Sequence, residues 1–140
     1  MPHSDPSRRL VVVVAAALID AQGRVLIARR PPGKALAGLW EFPGGKVEPG
    51  ESPEAALIRE LKEELDVTVA ADALEPIAFA SHAYPDFHLL MPFYAVRRWT
   101  GAPLALDHDA LEWAPAASLR DYPMPPADAP LLARLIEVAR

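Results

Sequence analysis

Three glutamates, Glu60, Glu63 and Glu64, stand at i, i+3 and i+4 in the run Arg59-Glu60-Leu61-Lys62-Glu63-Glu64. At about 100° per residue they fall within an arc of roughly 100° on one side of a helix. Like charges at these separations repel, and each such pair weakens a helix by about 0.2–0.5 kcal/mol. Only Arg59 and Lys62 are near enough in sequence to offset that repulsion. The spacing alone leaves two readings open. One is a solvated acidic face. The other is a site for a hard cation such as Mg²⁺, which takes oxygen ligands and is drawn to clustered carboxylates. The surroundings favour the cation. Gly44-Gly45 lies just upstream, where a bare backbone admits a ligand closely and offers carbonyl and amide groups. Glu51 is near enough to join the acidic group.

The glutamates need a helix to hold them, and the sequence supplies its boundaries. Ser52 suits the N-cap, Pro53 the first helical position, and Glu54 the positive end of the dipole. Leu57, Ile58, Leu61 and Leu65 recur at helical spacing and predict a core-facing stripe on the other side. The helix should end near Leu65-Asp66, before Val67-Thr68-Val69. Upstream, the apolar residues 10–19 predict a strand covered on both faces. Asp20-Ala21-Gln22-Gly23 reads as a turn into a second apolar run, Val25-Leu26-Ile27, so the two runs predict a hairpin. Residues 30–38 read as a loop, 39–42 as a short extended piece, and Glu48-Pro49-Gly50-Glu51 as a turn.

Downstream, strands are predicted at 77–83 and 87–99 around Tyr84-Pro85-Asp86, with a turn from Trp99 to Pro103. A short extended piece follows at 111–113. Asp128-Ala129-Pro130 can start a closing helix with the stripe Leu131, Leu132, Leu135 and Ile136. Two helices separated by a long strand region argue for α+β or a layered sandwich, not a doubly wound sheet. Trp40, Trp99 and Trp113 are expected to anchor the core, and the four histidines show no ligand spacing, so none is assigned to catalysis.

Composition removes several alternatives. With 140 residues, one domain over 9–140 behind a loose tail at 1–8 is the expectation. The absence of cysteine excludes a disulfide framework, a thiolate metal site and a cysteine nucleophile. Nineteen acidic against fourteen basic residues give a formal charge of −5, which argues against a broad nucleic-acid footprint while leaving room for a local phosphate pocket. Arg8-Arg9 ahead of residues 10–19 imitates a secretory leader. The run is too short to span a bilayer, and cleavage after it would remove a core strand, so the expectation is a cytoplasmic protein with no membrane partner.

The run from Gly45 through Glu51 to Arg59-Glu60-Leu61-Lys62-Glu63-Glu64-Leu65-Asp66-Val67 resembles the signature of the Nudix hydrolase family. Asp66 departs from the pattern, which has glycine there. A helix C-terminus at that point favours a left-handed residue, a conformation Asp tolerates. Arg29-Arg30, the segment Gly38-Leu39-Trp40-Glu41-Phe42-Pro43-Gly44-Gly45-Lys46-Val47, and Pro125-Pro126-Ala127-Asp128-Ala129-Pro130 are similar to the MutT branch. The resemblance implies an α/β fold, an α/β/α sandwich with a mixed β-sheet between helices. It implies a Mg²⁺-dependent (Mn²⁺ as substitute) nucleoside triphosphate pyrophosphohydrolase that cleanses oxidised nucleotides such as 8-oxo-dGTP. Cytidine nucleotides, then dinucleoside polyphosphates or nucleotide sugars, are the alternatives, and a non-catalytic damaged-base reader is the last.

Carried over by position, Glu60, Glu63 and Glu64 are implied as metal ligands, with the Gly44 carbonyl completing the set and Glu60 also acting on the attacking water. Arg59 is implied to hold the glutamates by ion pairing. Glu51 is either a ligand through water or a partner of Arg59. Asp107 is implied as a further carboxylate, with Asp109 as the alternative and an acidic surface turn as the plain reading. Arg30, Lys34, Phe42, Gly45, Lys46 and Asp128 are implied at the substrate. Asp128, if ionised, accepts only, which suits a base presenting amino donors such as cytosine N4 or guanine N1/N2, unless burial keeps it protonated; its plain reading is a cap for the closing helix. Phe79, Tyr84 and Phe87 are candidates to stack on a base, though core packing explains any one of them. A monomer or homodimer is expected.

Overall fold

Strand β1 (Arg9–Leu18) is apolar at nearly every position because both of its faces are covered. The structure, a computed structural model, describes residues 9–139; the tail expected at 1–8 lies outside the described residues. Val14, Ala16 and Leu18 pack on Leu57, Leu61 and Leu65 of helix α1 (Pro53–Leu65). The alternating set Ala15, Ala17 and Ile19 joins Phe93, Leu131, Leu132 and Leu135 in a second core. Leu131 precedes and Leu132 and Leu135 belong to the closing helix α2 (Leu132–Val138). The sheet is therefore layered between the two helical segments, as the resemblance implied.

Four strands make that sheet, in the order β4-β1-β6-β5. Here β4 is Gly44–Lys46, β5 is Leu74–Ala83 and β6 is Phe87–Val96. β1 runs parallel to β6 and antiparallel to β4, so the sheet is mixed. A second, antiparallel sheet has the order β3-β2-β7, from β2 (Arg24–Arg29), β3 (Trp40–Glu41) and β7 (Ala110–Pro115).

The expected hairpin of β1 with β2 is not formed. The turn exists, with Asp20 Oδ1 accepting from Gln22 N at 3.0 Å and Arg24 N at 2.8 Å, but the strands meet in one bridge, Ile19 to Val25. Both hydrogen-bonding edges of β1 are already taken by β4 and β6. β2 therefore leaves to found the second sheet. β5 starts earlier than expected, at Leu74, because pairing with β6 runs on through Pro76, with a register shift between Pro76 and Ala78 absorbing the irregularity. β6 stops at Val96 instead of continuing to 99. The closing helix opens with a 3-10 turn at Ala129–Leu131 rather than α-helix. The tryptophans flank the cores instead of filling them: Trp99 stacks on Trp113 at 5.9 Å, and Trp40 meets Tyr122 edge-on at 5.7 Å. No helix among the described residues is long and apolar enough to cross a membrane.

Candidate active site

Helix α1 is built as its sequence dictates. Ser52 Oγ accepts from Ala55 N at 3.1 Å, and Asp66 closes the helix in the left-handed conformation at φ 56°. With Leu57, Leu61 and Leu65 fully buried, the glutamate arc is turned toward β4. It is not a solvated face throughout. Glu64 is buried, Glu60 is largely covered, and Glu63 stays at the rim with 58% of its side chain exposed.

The two glycines of β4 make this packing possible. Gly44 donates its N–H to Glu64 Oε2 at 2.9 Å. A Cβ on Gly44 would lie 1.9 Å from the Val14 carbonyl oxygen, and one on Gly45 would lie 2.4 Å from the Glu60 carboxylate. The bare backbone therefore lets β4 sit between β1 and the acidic side of α1. Burial and the neighbouring Glu60 charge push Glu64 up to about 8. Glu60 is also raised by burial, against the opposing pull of Arg59.

Arg59 ties the acidic group together. Its Nε donates to Glu51 Oε2 at 2.7 Å, Nη2 to Glu51 Oε1 at 2.9 Å, and Nη1 to Glu60 at 2.8 Å and Glu63 at 3.3 Å. The guanidinium, with the Glu48 N–H, holds Glu51 down at about 2. The pairing with Arg59 is one of the two readings of Glu51.

Asp107 is brought to the same wall by backbone. Leu104 N donates to Leu65 O at 2.9 Å and Leu106 N to Glu64 O at 3.1 Å, so the end of α1 anchors the segment before Asp107. The Asp107 charge reaches both Glu60 and Glu64, and Lys34 Nζ lies 3.8 Å from its carboxylate. Asp109 instead pairs with Arg29 at 2.9 Å, away from the cavity. Among the described residues no three His, Asp or Glu side chains form a ready metal cage. Glu60 and Glu63 are drawn to Arg59, and Glu64 to Gly44. The donor set nevertheless fits a hard divalent cation, since a buried carboxyl beside a second raised carboxyl is an excess of oxygen-borne charge in need of one.

Gly44, Glu64 and Asp107 line a cavity of about 240 Å³ together with Arg30, Lys34, Phe42, Gly45, Lys46 and Asp128, whereas Arg59, Glu60 and Glu63 are not among its lining residues. Phe42 supplies backbone more than ring, since its ring packs on Phe93 at 4.8 Å. An apolar cleft of about 410 Å³ adjoins it, sharing Glu41, Lys46, Met91 and Asp128 and adding Tyr84, Phe87 and Leu89. Tyr84 stacks on Phe87 at 5.0 Å, whereas Phe79 points away with 68% exposure. Asp128 makes no helix-capping bond. Its Oδ2 faces the Phe42 N–H at 3.4 Å, and burial, with the nearby Glu41 charge, pushes it up to about 7.

Two cavity residues escaped the sequence reading. Glu41 accepts from Arg30 Nη1 on both oxygens at 3.1 Å, and His108 Nε2 lies 2.8 Å from Glu41 Oε2. Lone histidines carry no spacing signal; adjacency to Asp107 is the one clue that pointed here.

A model of the NUDIX domain matches residues 14–134. The chain belongs to the Nudix family. It is a Nudix hydrolase, and hydrolysis in this family generally uses a divalent metal. It is 40% identical over 132 residues to a CTP pyrophosphohydrolase of Escherichia coli, covering 87% of this chain and 89% of that one. It is 35% identical over 116 residues to an 8-oxo-dGTP diphosphatase of the same organism, covering 83% and 88%. The solution structure of the E. coli ORF135 protein superposes on this Nudix hydrolase with a TM-score of 0.84 at 36% identity, covering 97% and 95%.

Proposed function

We propose that this Nudix hydrolase cleaves nucleoside triphosphates, by water attack on the phosphate chain, into nucleoside monophosphate and pyrophosphate. Mg²⁺ is the proposed ion, with Mn²⁺ as substitute, and oxidised nucleotides such as 8-oxo-dGTP are the proposed substrates. The observation that carries this reading is the polarity of the cavity. The carboxyl groups of Glu64 and Asp107 and the cations Arg30 and Lys34 line the polar cavity; Glu41, Lys46 and Asp128 border both it and the adjoining apolar cleft. A triphosphate with its nucleoside matches that gradient.

Glu60, Glu63 and Glu64, with the Gly44 carbonyl and Asp107, would hold the divalent ion, which neutralises phosphate charge and orients water when bound. Glu60, raised by burial, is suited to accept a proton from the attacking water. Arg59 keeps Glu60 from swinging away. Arg30 and Lys34 meet the phosphates. Tyr84, Phe87, Leu89 and Met91 enclose the base, and Asp128 reads its edge.

Asp128 at about 7 is partly protonated near neutral pH. It therefore both donates to a carbonyl and accepts from amino hydrogens, which suits an oxidised guanine. A second reading, cytidine nucleotides, is favoured by the likeness to the CTP pyrophosphohydrolase over 89% of that relative's length. Chromatographic product analysis with Mg²⁺ tests both, comparing kcat/KM for dGTP, 8-oxo-dGTP, dCTP and 5-methyl-dCTP, each expected to give monophosphate and pyrophosphate, and for a dinucleoside tetraphosphate, which would give only nucleotides. A large preference for 8-oxo-dGTP over dGTP is expected. Preference for the cytidine nucleotides would move the assignment to the second reading, and cleavage of the dinucleotide alone would overturn both. Glu63→Gln should abolish turnover; unchanged hydrolysis would remove Glu63 from the metal set.

A further inference from the structure

The geometry points to His108 as a positioning residue that locks the Glu41–Arg30 pair where the phosphate end of the cavity meets the base cleft. The segment carrying it is pinned on both sides. Leu106 N donates to Glu64 O at 3.1 Å, and Asp109 N to Arg29 O at 3.2 Å. Between those two bonds the His108 side chain turns inward and is only 4% exposed. Its Nε2 meets Glu41 Oε2 at 2.8 Å.

The bond sets which ring nitrogen donates. A carboxylate gripped by the Arg30 guanidinium only accepts, so the imidazole must donate through Nε2–H. The other ring nitrogen, Nδ1, is buried and has no partner among the described residues. A buried orphan polar atom is a desolvation penalty that an aliphatic side chain of similar size would avoid. Histidine is therefore useful here for the one bond it does make.

That bond bears on nucleotide binding through a short chain of contacts. Glu41 belongs to β3 and Asp109 leads into β7, on opposite sides of β2. With one Glu41 oxygen held by His108, the carboxylate presents a fixed face to Arg30. Arg30 Nε is fixed in turn by the Ala35 carbonyl at 2.6 Å. Both Glu41 and Arg30 line the cavity, and Glu41 also borders the apolar cleft. Loss of the His108 bond lets this pair relax. The consequence falls on ground-state binding of the nucleotide, not on the carboxylates beside the reacting phosphorus.

The inference rests on the nucleotide reading above, and the test separates the two. With the triphosphate that the wild-type chain turns over best, His108→Ala is expected to raise KM by about tenfold while kcat falls by less than about threefold. His108→Gln presents an amide N–H at comparable reach and is expected to recover most of the KM. Long-range ¹H–¹⁵N spectra of the wild-type protein are expected to show the His108 proton on Nε2. A loss confined to kcat would mean that His108 acts through Asp107 and would overturn the proposal. So would a Gln variant no better than Ala, or an Nε2 found without a proton. Should no triphosphate be cleaved by the wild-type chain, the proposed function falls, while the spectra still decide the His108–Glu41 bond.

Discussion

Glu64 illustrates how a single side chain can be costly to the fold and necessary to the site. Its carboxyl group is buried beside Glu60 and receives one backbone N–H, from Gly44, with no Lys or Arg side chain paired to it among the described residues. The result is a group pushed up to about 8 from its ordinary 4.5. Glutamine keeps the shape and the acceptor for Gly44 while deleting the charge. Glu64→Gln is therefore expected to raise stability at pH 8–9 without divalent ions by about 1–3 kcal/mol. The same change removes a proposed ligand, so turnover should fall by about 100-fold or more. Urea unfolding beside a pyrophosphate assay reads both effects. A variant that is both less stable and fully active would show that Glu64 serves packing alone. Glu51 is the opposite case: partly covered yet held at about 2 by Arg59, it helps orient the guanidinium that restrains Glu60 and Glu63.

At the scale of elements, α1 and its C-terminus do the positioning. Asp66 stands at φ 56° where the family pattern has glycine, and its N–H still returns to Lys62 O. Asp66→Gly should relieve the left-handed strain by about 0.5–1 kcal/mol, offset in part by loss of the exposed Lys62–Asp66 pair at 2.7 Å. Asp66→Ala has no such relief and should destabilise by about 1 kcal/mol. Denaturation midpoints that rank Ala above Gly would contradict this account of the cap. These local features were legible in the sequence: the Ser52 cap, the Leu57-Leu61-Leu65 stripe and the left-handed end at Asp66 each depend on neighbours within a turn or two. What was not legible depends on distant partners. The turn at residues 20–23 could be read, yet whether β1 and β2 pair depended on β4 and β6 claiming the edges of β1. The burial of Glu64 depends on β4 passing close through Gly44 and Gly45. The link from His108 to Glu41 crosses 67 positions of chain, and nothing at either residue announces the other.

Over the whole molecule, the acidic site couples stability to pH and to divalent ions. Glu64 at about 8 and Asp128 at about 7 both lie above their ordinary values of 4.5 and 3.8. Between the ordinary and the raised values the folded chain holds protons that the unfolded chain has released, so stability falls as pH rises through that window. Glu51, lowered to about 2, acts in the other direction: its contribution is present above 4.5 and is lost as pH falls toward 2. Stability without metal should therefore be greatest at about pH 4, where the opposing slopes cancel, and decline from there until Glu64 is ionised at about pH 8. A divalent ion that binds the ionised carboxylates of the folded state reverses the alkaline limb. At 100 times its dissociation constant, such a ligand adds about 2.7 kcal/mol, or on the order of 5–10 °C in Tm for a chain of this size. Thermal unfolding with Mg²⁺ and with EDTA at pH 6 and pH 9 is expected to give the larger Mg²⁺ shift at pH 9, because protons compete with the ion at pH 6. The difference should shrink in Glu64→Gln, which no longer has a proton to exchange at that position. Equal shifts at both pH values, or a shift unaffected by Glu64→Gln, would place the ion away from the buried end of the glutamate cluster.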